Sequence, residues 1–420
     1  MWLTIVLRGI QFRGFCAAVK LTCCRQKEAE GDISNFQSLM AALSATVGVG
    51  NIAGVATAIA TGGPGALFWM WCTGIFGMAT KYSEALLAVH YRSKLPDGTM
   101  GGGPMYYIER GLGQEWLAVL FAVFTVLATF GIGNMTQSNS IAVTLSVFKI
   151  DPNLTGIVVA VLTGSVVLGG IKVLGRVTSF LVPVMILFYM GASIAVLVVK
   201  GAMIPEIFLL VLRDAFTPQA AVGGFAGTVL RKTIQVGLAR GLFSNESGLG
   251  SAPIVAAAAK ARFPAEQALV SMLQTFIDTL VVCSMTGFAI LSTGAWTSGL
   301  SGAELTISAF ESVFGIWGRL AVSVSLCLFA FSTLIGWGYY GERALVYLVG
   351  LKAILPYRVI FTCVVWLGAV LKLETVWTLS DIFNGLMALP NLVALMCLTP
   401  VIISETRRYI TFITLKPVED

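Results

Sequence analysis

The chain has 420 residues, of which 57% are hydrophobic and only 11% charged. A soluble domain carries about 25% charged residues, so the composition is that of a protein embedded in a bilayer and excludes a soluble globular enzyme. The net charge of +6 does not indicate nucleic acid as a partner, because the basic residues are scattered between apolar runs.

Residues 1–30 form a basic, partly apolar arm, in which Arg8 and Arg13 interrupt any signal-peptide core. It is expected to lie on the membrane surface. The first predicted span, 36–60, has the apolar length of a membrane helix. Thr46-Val47-Gly48-Val49-Gly50-Asn51 sits in its middle, and two glycines followed by Asn are poor helix formers. A break there frees backbone groups that cost several kcal/mol each against lipid, so it is tolerable only inside protein or beside a polar cavity. Gly50-x-x-x-Gly54 also reads as a small-residue helix contact. Spans two to five follow at 66–89, 116–147, 154–168 and 180–199, with an external connecting segment at 201–227. Lys81 and Glu84 fall near the cytoplasmic end of the second span. The sixth span, 228–258, contains a second polar interruption from Phe243 to Gly250. The remaining spans are 267–291, 315–339, 357–371 and 377–403, with a polar connection at 294–311 and a cytoplasmic tail at 404–420.

Ten spans divide into repeats of five, 31–200 and 228–403, with a broken helix opening each. An odd number of spans per half inverts the second half relative to the first, and paired broken helices mark a secondary transporter's binding site. Most of the 27 Lys and Arg residues fall on the side of the arm, which places both chain ends in the cytoplasm.

No Gly-Lys dipeptide is present, so there is no phosphate-binding loop, and one histidine cannot build a His-rich zinc site. Nothing assembles a nucleophile with a base, and no enzyme is expected. A half-helix N-terminus suits an anion and a half-helix C-terminus a cation, so a doubly broken pair suits an α-amino acid. Gln137, beside Asn134, Ser138 and Asn139 on the third span, either contacts ligand or bonds a neighbouring helix. Thr333 and Trp337 share one face of the eighth span, and Ser332 adjoins them. Trp337 also reads as plain packing. Asp278 is an ionisable residue inside a span, either functional or paired with a buried cation. Glu246 either caps the freed N–H groups of its own break or contacts ligand.

TVGVGNIAG at 46–54, GGPGALFWMW at 62–71, GNMTQSNSI at 133–141, RGLFSNESGLGSAP at 240–253, FIDT at 276–279, GWGYYGER at 336–343 and FNGLMALPNL at 383–392 resemble the alanine or glycine:cation symporter family. The resemblance covers nearly the whole chain. It implies an all-α membrane protein with a LeuT-like inverted-repeat core. It implies Na⁺-coupled, or sometimes H⁺-coupled, carriage of a small neutral amino acid across the plasma membrane. Substrate residues implied by it are Thr46, Gly48, Gly50, Asn51, Gln137, Phe243, Ser244, Thr333 and Trp337. Sodium would lie between the first and eighth spans, on the Thr46 or Val49 backbone with Ser332 and Thr333. The resemblance also implies a further helix before the arm, and this sequence starts inside what would be its end. A non-transporting amino-acid receptor is the expectation from another class.

Overall fold

The computed structural model describes residues 1–23, 29–217, 226–371 and 374–415. A helix occupies each of the ten predicted spans. Among the described residues, five helices are long and apolar enough to cross a membrane alone: Glu115–Ser146, Gly170–Val199, Pro264–Ser292, Ile316–Val349 and Leu351–Val370. Two bent pairs, Asn35–Thr46 with Gly50–Gly62 and Ile382–Cys397 with Thr399–Ile413, raise that number to seven. The other three segments are short, as in Pro152–Val167, or carry ionisable residues, as in Ala66–His90 and Ala226–Asn245.

The first span begins on a capping box. The Ser34 hydroxyl accepts from the Gln37 N–H at 3.2 Å, and the Gln37 carboxamide accepts from the Ser34 N–H at 3.0 Å. The helix Asn35–Thr46 stops at Val47, whose ψ of 92° is extended. The chain restarts as a π-helical turn, Gly50–Gly54, and continues as Val55–Gly62, bent by 54°. The sixth span runs helically from Ala226 to Asn245, turns through 246–252, and keeps only one further helical turn, Pro253–Ala256. Glu246 holds φ of 55°, the left-handed region that costs a non-glycine residue energy.

The structure departs from the sequence reading at five places. The third and seventh spans each contain a wide turn, Gly131–Met135 and Phe276–Cys283, where continuous helices were expected. The connection at 294–311 holds a helix, Gly302–Phe314, that folds back so that the Thr306 hydroxyl donates to the Ile52 carbonyl at 3.1 Å. The fifth span starts at Gly170, which draws Lys172 and Arg176 into its first turns. The expected tail is helical from Thr399 to Leu415. The arm forms helices Trp2–Val6, Ile10–Arg13 and Phe15–Cys23 and packs on the bundle. Phe15 meets Phe276 edge-on at 4.8 Å, and the buried Gln11 carboxamide donates to the Ile75 carbonyl at 3.4 Å. Part of its apolar surface is therefore covered by protein.

At the end where the first span starts, the bundle is closed. The Asp32 N–H donates to the Ala258 carbonyl at 2.8 Å, the Lys260 N–H donates to the Ile33 carbonyl at 2.8 Å, and Ile33 pairs with Ala259 as a parallel bridge. Arg92, just past the second span, spreads its guanidinium over this junction. It donates to the carbonyls of Ala257 (3.1 Å), Ala259 (2.7 Å) and Glu30 (2.9 Å). The hairpin at 93–101 presses from the other side, its Met100 N–H donating to the Asp32 carboxylate at 2.8 Å. A guanidinium can serve several carbonyls in one plane and an ammonium cannot. Arg92→Lys is therefore expected to lose on the order of 2 kcal/mol of stability. Thermal unfolding of the purified variant checks this, and an unshifted midpoint would assign the closure to the backbone bridge alone.

Candidate functional site

The two breaks meet. A Cβ placed on Gly50 would lie 3.3 Å from the Phe243 ring and 3.5 Å from Cα of Ser244. A Cβ on Gly48 would lie 2.5 Å from the Thr333 hydroxyl and 3.8 Å from Oε1 of Gln137. Residues from the first, third, sixth and eighth spans thus converge on one backbone turn, and only glycine fits at position 48. The third and eighth spans face each other antiparallel: Gly133 lies under the Trp337 ring one turn from Gln137, and Thr333 lies one turn from Trp337. The Gln137 carboxamide donates to the Ile132 carbonyl at 2.9 Å, and its buried Oε1 accepts from no described group.

Asn51 closes the first break. Its Oδ1 accepts the Gly48 N–H at 2.8 Å, and its Nδ2 donates to the Asp278 carboxylate at 2.7 Å. The same carboxylate accepts from the Ser244 hydroxyl at 2.9 Å and the Thr279 hydroxyl at 2.8 Å. All four residues are buried. Asp278 sits in the wide turn of the seventh span, and among the described residues no cation lies within ion-pair distance of it. The proposed pairing with a buried Arg or Lys is therefore not made; hydroxyl and amide donors surround the acid instead.

The second break is served from another helix. Glu84 Oε1 accepts the N–H groups of Gly248 and Gly250, each at 3.1 Å, and the Asn391 amide at 2.6 Å. Asn391 also donates to the Gly248 carbonyl at 2.9 Å and accepts from the Tyr107 hydroxyl. Glu246 does not cap its own break. Its carboxylate accepts from the Trp337 indole N–H at 2.9 Å and the Ser251 hydroxyl at 2.5 Å, which fixes the indole against the break. Lys81 is 1% exposed with its Nζ 4.0 Å from Glu84, so it belongs to the bundle interior and not to a cytoplasmic end.

Around the first-to-eighth-span contact, the Ser332 hydroxyl lies 3.1 Å from the Ser44 carbonyl and 3.4 Å from that of Val47. The Thr46 hydroxyl turns back to the Ala42 carbonyl of its own helix at 3.2 Å, and Val49 has rejoined helical geometry. The carbonyls facing Ser332 are those of Ser44 and Val47, a shift from the expected Thr46 and Val49.

A cavity of about 560 Å³ reaches the breaks from the end opposite the Arg92 closure. Val49, Gly50 and Phe243 line it where the breaks lie, and Thr57, Thr144 and Arg240 line it farther out. Gln137, Thr333 and Trp337 do not line it; they lie behind Gly48, Gly50 and Phe243.

The family model described as the sodium:alanine symporter family matches residues 1–416. The chain belongs to the sodium:alanine symporter family. It is 49% identical over 413 residues to an uncharacterized transporter of Haemophilus influenzae, covering 97% of this chain and 91% of that one. It is 47% identical over 420 residues to the sodium/alanine symporter AgcS of Methanococcus maripaludis, covering 97% and 92%. The crystal structure of MhsT in complex with L-phenylalanine superposes with a TM-score of 0.61 at 16% identity, covering 86% of this chain and 89% of that one, and shows the shared LeuT-like fold. The chain is a multi-pass membrane transporter.

Within this symporter fold, Glu84 and Lys81 were missed by sequence reasoning, which placed them at a helix end. The available signal was their i, i+3 spacing inside an apolar run, a pattern of internal ionisable residues. Glu84→Ala would strip two buried amides of their acceptor at about 1–3 kcal/mol each. It is expected to lower the melting temperature sharply and abolish uptake, while Glu84→Gln keeps a carbonyl oxygen and most of the stability. Differential scanning fluorimetry with a transport assay checks both, and an Ala variant that melts like wild type would show that the break does not need Glu84.

Proposed function

We propose that this symporter carries alanine, glycine or a similarly small neutral amino acid into the cell together with Na⁺. The observation that carries the reading is the convergence of Gly48, Gln137, Phe243 and Thr333 on the two breaks. A zwitterion matches such a place, because the positive end of a half-helix dipole favours its carboxylate and oxygen acceptors such as Gln137 Oε1 favour its ammonium. Phe243 and the pinned Trp337 leave little room for a side chain, which favours small substrates. Thr46, Asn51 and Ser244 border the same breaks, holding them in shape. Both chain ends are assigned to the cytoplasm, so the 560 Å³ cavity faces outward and Arg92 closes the inner side. An extracellular signal from a reporter fused after Asp420 would overturn that orientation.

Sodium is assigned to the meeting of the first break with the eighth span, on the hydroxyls of Ser332 and Thr333 and the Val47 carbonyl. Hard cations take oxygen ligands, and a monovalent ion does not require a carboxylate. At about 100 mV one entering Na⁺ gains about 2.3 kcal/mol, and a tenfold gradient adds about 1.4 kcal/mol. That suffices for a several-hundred-fold substrate gradient at most. The Asp278 cluster supports a second placement, because a buried carboxylate ringed by Ser244, Thr279 and Asn51 also attracts a cation.

Gln137→Leu is expected to weaken alanine binding by about 1–3 kcal/mol in a folded protein, since a buried ligand group would lose its partner. Unchanged affinity would return Gln137 to helix packing. Thr333→Val removes one oxygen at nearly constant volume. It should raise the Na⁺ concentration for half-maximal uptake far more than it changes alanine affinity at saturating Na⁺. An unaltered Na⁺ dependence there, with a raised one in Asp278→Asn, would move the ion to the seventh span. Uptake that persists when choline replaces Na⁺ at fixed pH would favour H⁺ coupling, and binding without uptake in proteoliposomes would favour a receptor.

A further inference from the structure

The helix Ala66–His90 presents Gly77, Lys81 and Glu84 on one face, and the second break lies along that face. A Cβ placed on Gly77 would lie 2.6 Å from the Ser247 hydroxyl, and Glu84 accepts the Gly248 and Gly250 N–H groups. Lys81, between them, is 1% exposed. Its Nζ stands 4.0 Å from Glu84 Oε2, and neither atom has a hydrogen-bond partner among the described residues. A committed ion pair closes to about 2.7–2.9 Å, so this ammonium is not given over to one carboxylate. Its charge acts on Glu84, Glu246 and Asp278, all three buried. Among the described residues, neutral donors serve the last two: Trp337 and Ser251 on Glu246, and Asn51, Ser244 and Thr279 on Asp278.

Carboxylates gathered at a break in a low-dielectric interior need a cation to offset them. A dissolved Na⁺ could supply one, but at the second break the chain supplies its own. We infer that Lys81 is a tethered cation standing where a second coupling ion would otherwise bind, and that it limits the transporter to one Na⁺ per amino acid. The inference rests on the reading of Na⁺ as the coupling ion. Glu84 Oε2, with no partner but the nearby ammonium, is the oxygen such an ion would take if the ammonium were removed. A tethered charge differs from a dissolved one in that it cannot leave with the substrate. After alanine and Na⁺ depart, the second break keeps its compensation, and the empty carrier returns without an ion there. A single dissociable Na⁺ is then left to couple the cycle.

Labelled Na⁺ bound to purified protein at saturating alanine, from mildly acidic to mildly alkaline pH, counts the ions. Wild type should hold one Na⁺ per alanine throughout, and alanine affinity should rise with Na⁺ on a logarithmic slope of about 1. Lys81→Gln should gain a second Na⁺ toward alkaline pH, where protons no longer compete for the freed carboxylate, and its slope should rise to about 2. Lys81→Arg should keep the wild-type count. The double variant Lys81→Gln with Glu84→Gln removes the charge and its neighbouring carboxylate together. It should return to one Na⁺ and melt higher than Lys81→Gln alone, because losing both partners costs less than stranding one. If Lys81→Gln is too unstable to purify, the double variant decides: folded protein with one Na⁺ is expected, and equal instability would overturn the inference. Two Na⁺ in wild type, or one Na⁺ in folded Lys81→Gln at every pH, would also overturn it. Alanine binding indifferent to Na⁺ in wild type would instead defeat the sodium reading, while a cation gained in Lys81→Gln would still show that the lysine occupies an ion's place.

Discussion

A helix broken inside a membrane must find partners for every amide it frees, and this fold is arranged around that requirement. Each unsatisfied group would cost several kcal/mol where water is absent. Neither break solves the problem with backbone alone. Asn51 serves the first, folding its side chain back onto the Gly48 N–H. Glu84 and Asn391, from the second and tenth spans, serve the second. The breaks are thus properties of the assembled bundle. The polar side chains that hold them are in turn buried, and must be oriented by Tyr107, Asp278 and Ser244. A polar network of this kind stabilises one geometry when it is complete and is costly when it is not.

The closed end uses a different chemistry. Arg92 and the Ile33–Ala259 bridge join the start of the first span to the end of the sixth through main-chain carbonyls and a guanidinium near the surface. Water can replace those partners as the junction opens, so opening costs little compared with disturbing the Asp278 or Glu84 networks in the core. The two networks differ in that respect, and the difference supplies what alternating access needs: rigid geometry at the breaks and a replaceable contact at the rim.

Much of this was legible in the residues. Apolar length placed every span, and Gly48, Gly50 and the Phe243–Gly250 stretch marked both breaks. Their common feature is a local one, poor helix formers among apolar neighbours. What was illegible depends on partners distant in sequence. The wide turns at Gly131–Met135 and Phe276–Cys283 are widened helix rather than broken helix, and their polar residues Asn134, Asp278 and Thr279 do not by themselves mark a change of helical pitch. Glu246 sits in the second break, so sequence proximity suggested that it either caps the freed amides or contacts ligand. The amides turn toward Glu84, 164 residues away from Gly248, and Glu246 turns toward Trp337. Burial of Lys81 was likewise missed, although its i, i+3 spacing from Glu84 inside an apolar run pointed to the interior.

Around the two breaks, among the described residues, the interior holds Glu84, Glu246 and Asp278 against the ammonium of Lys81, which lies 4.0 Å from Glu84. In a low-dielectric interior such an excess of carboxyl groups is unfavourable unless donors or a cation offset it. Donors do part of this, since Asp278 and Glu246 each accept from hydroxyl, amide or indole groups. A cation at the first break would act on the same field that orients those donors, and a zwitterion beside it would add both signs of charge. Ion and substrate then stabilise one arrangement of the breaks in common. By linkage each must tighten the other by the same factor, which is the thermodynamic content of symport.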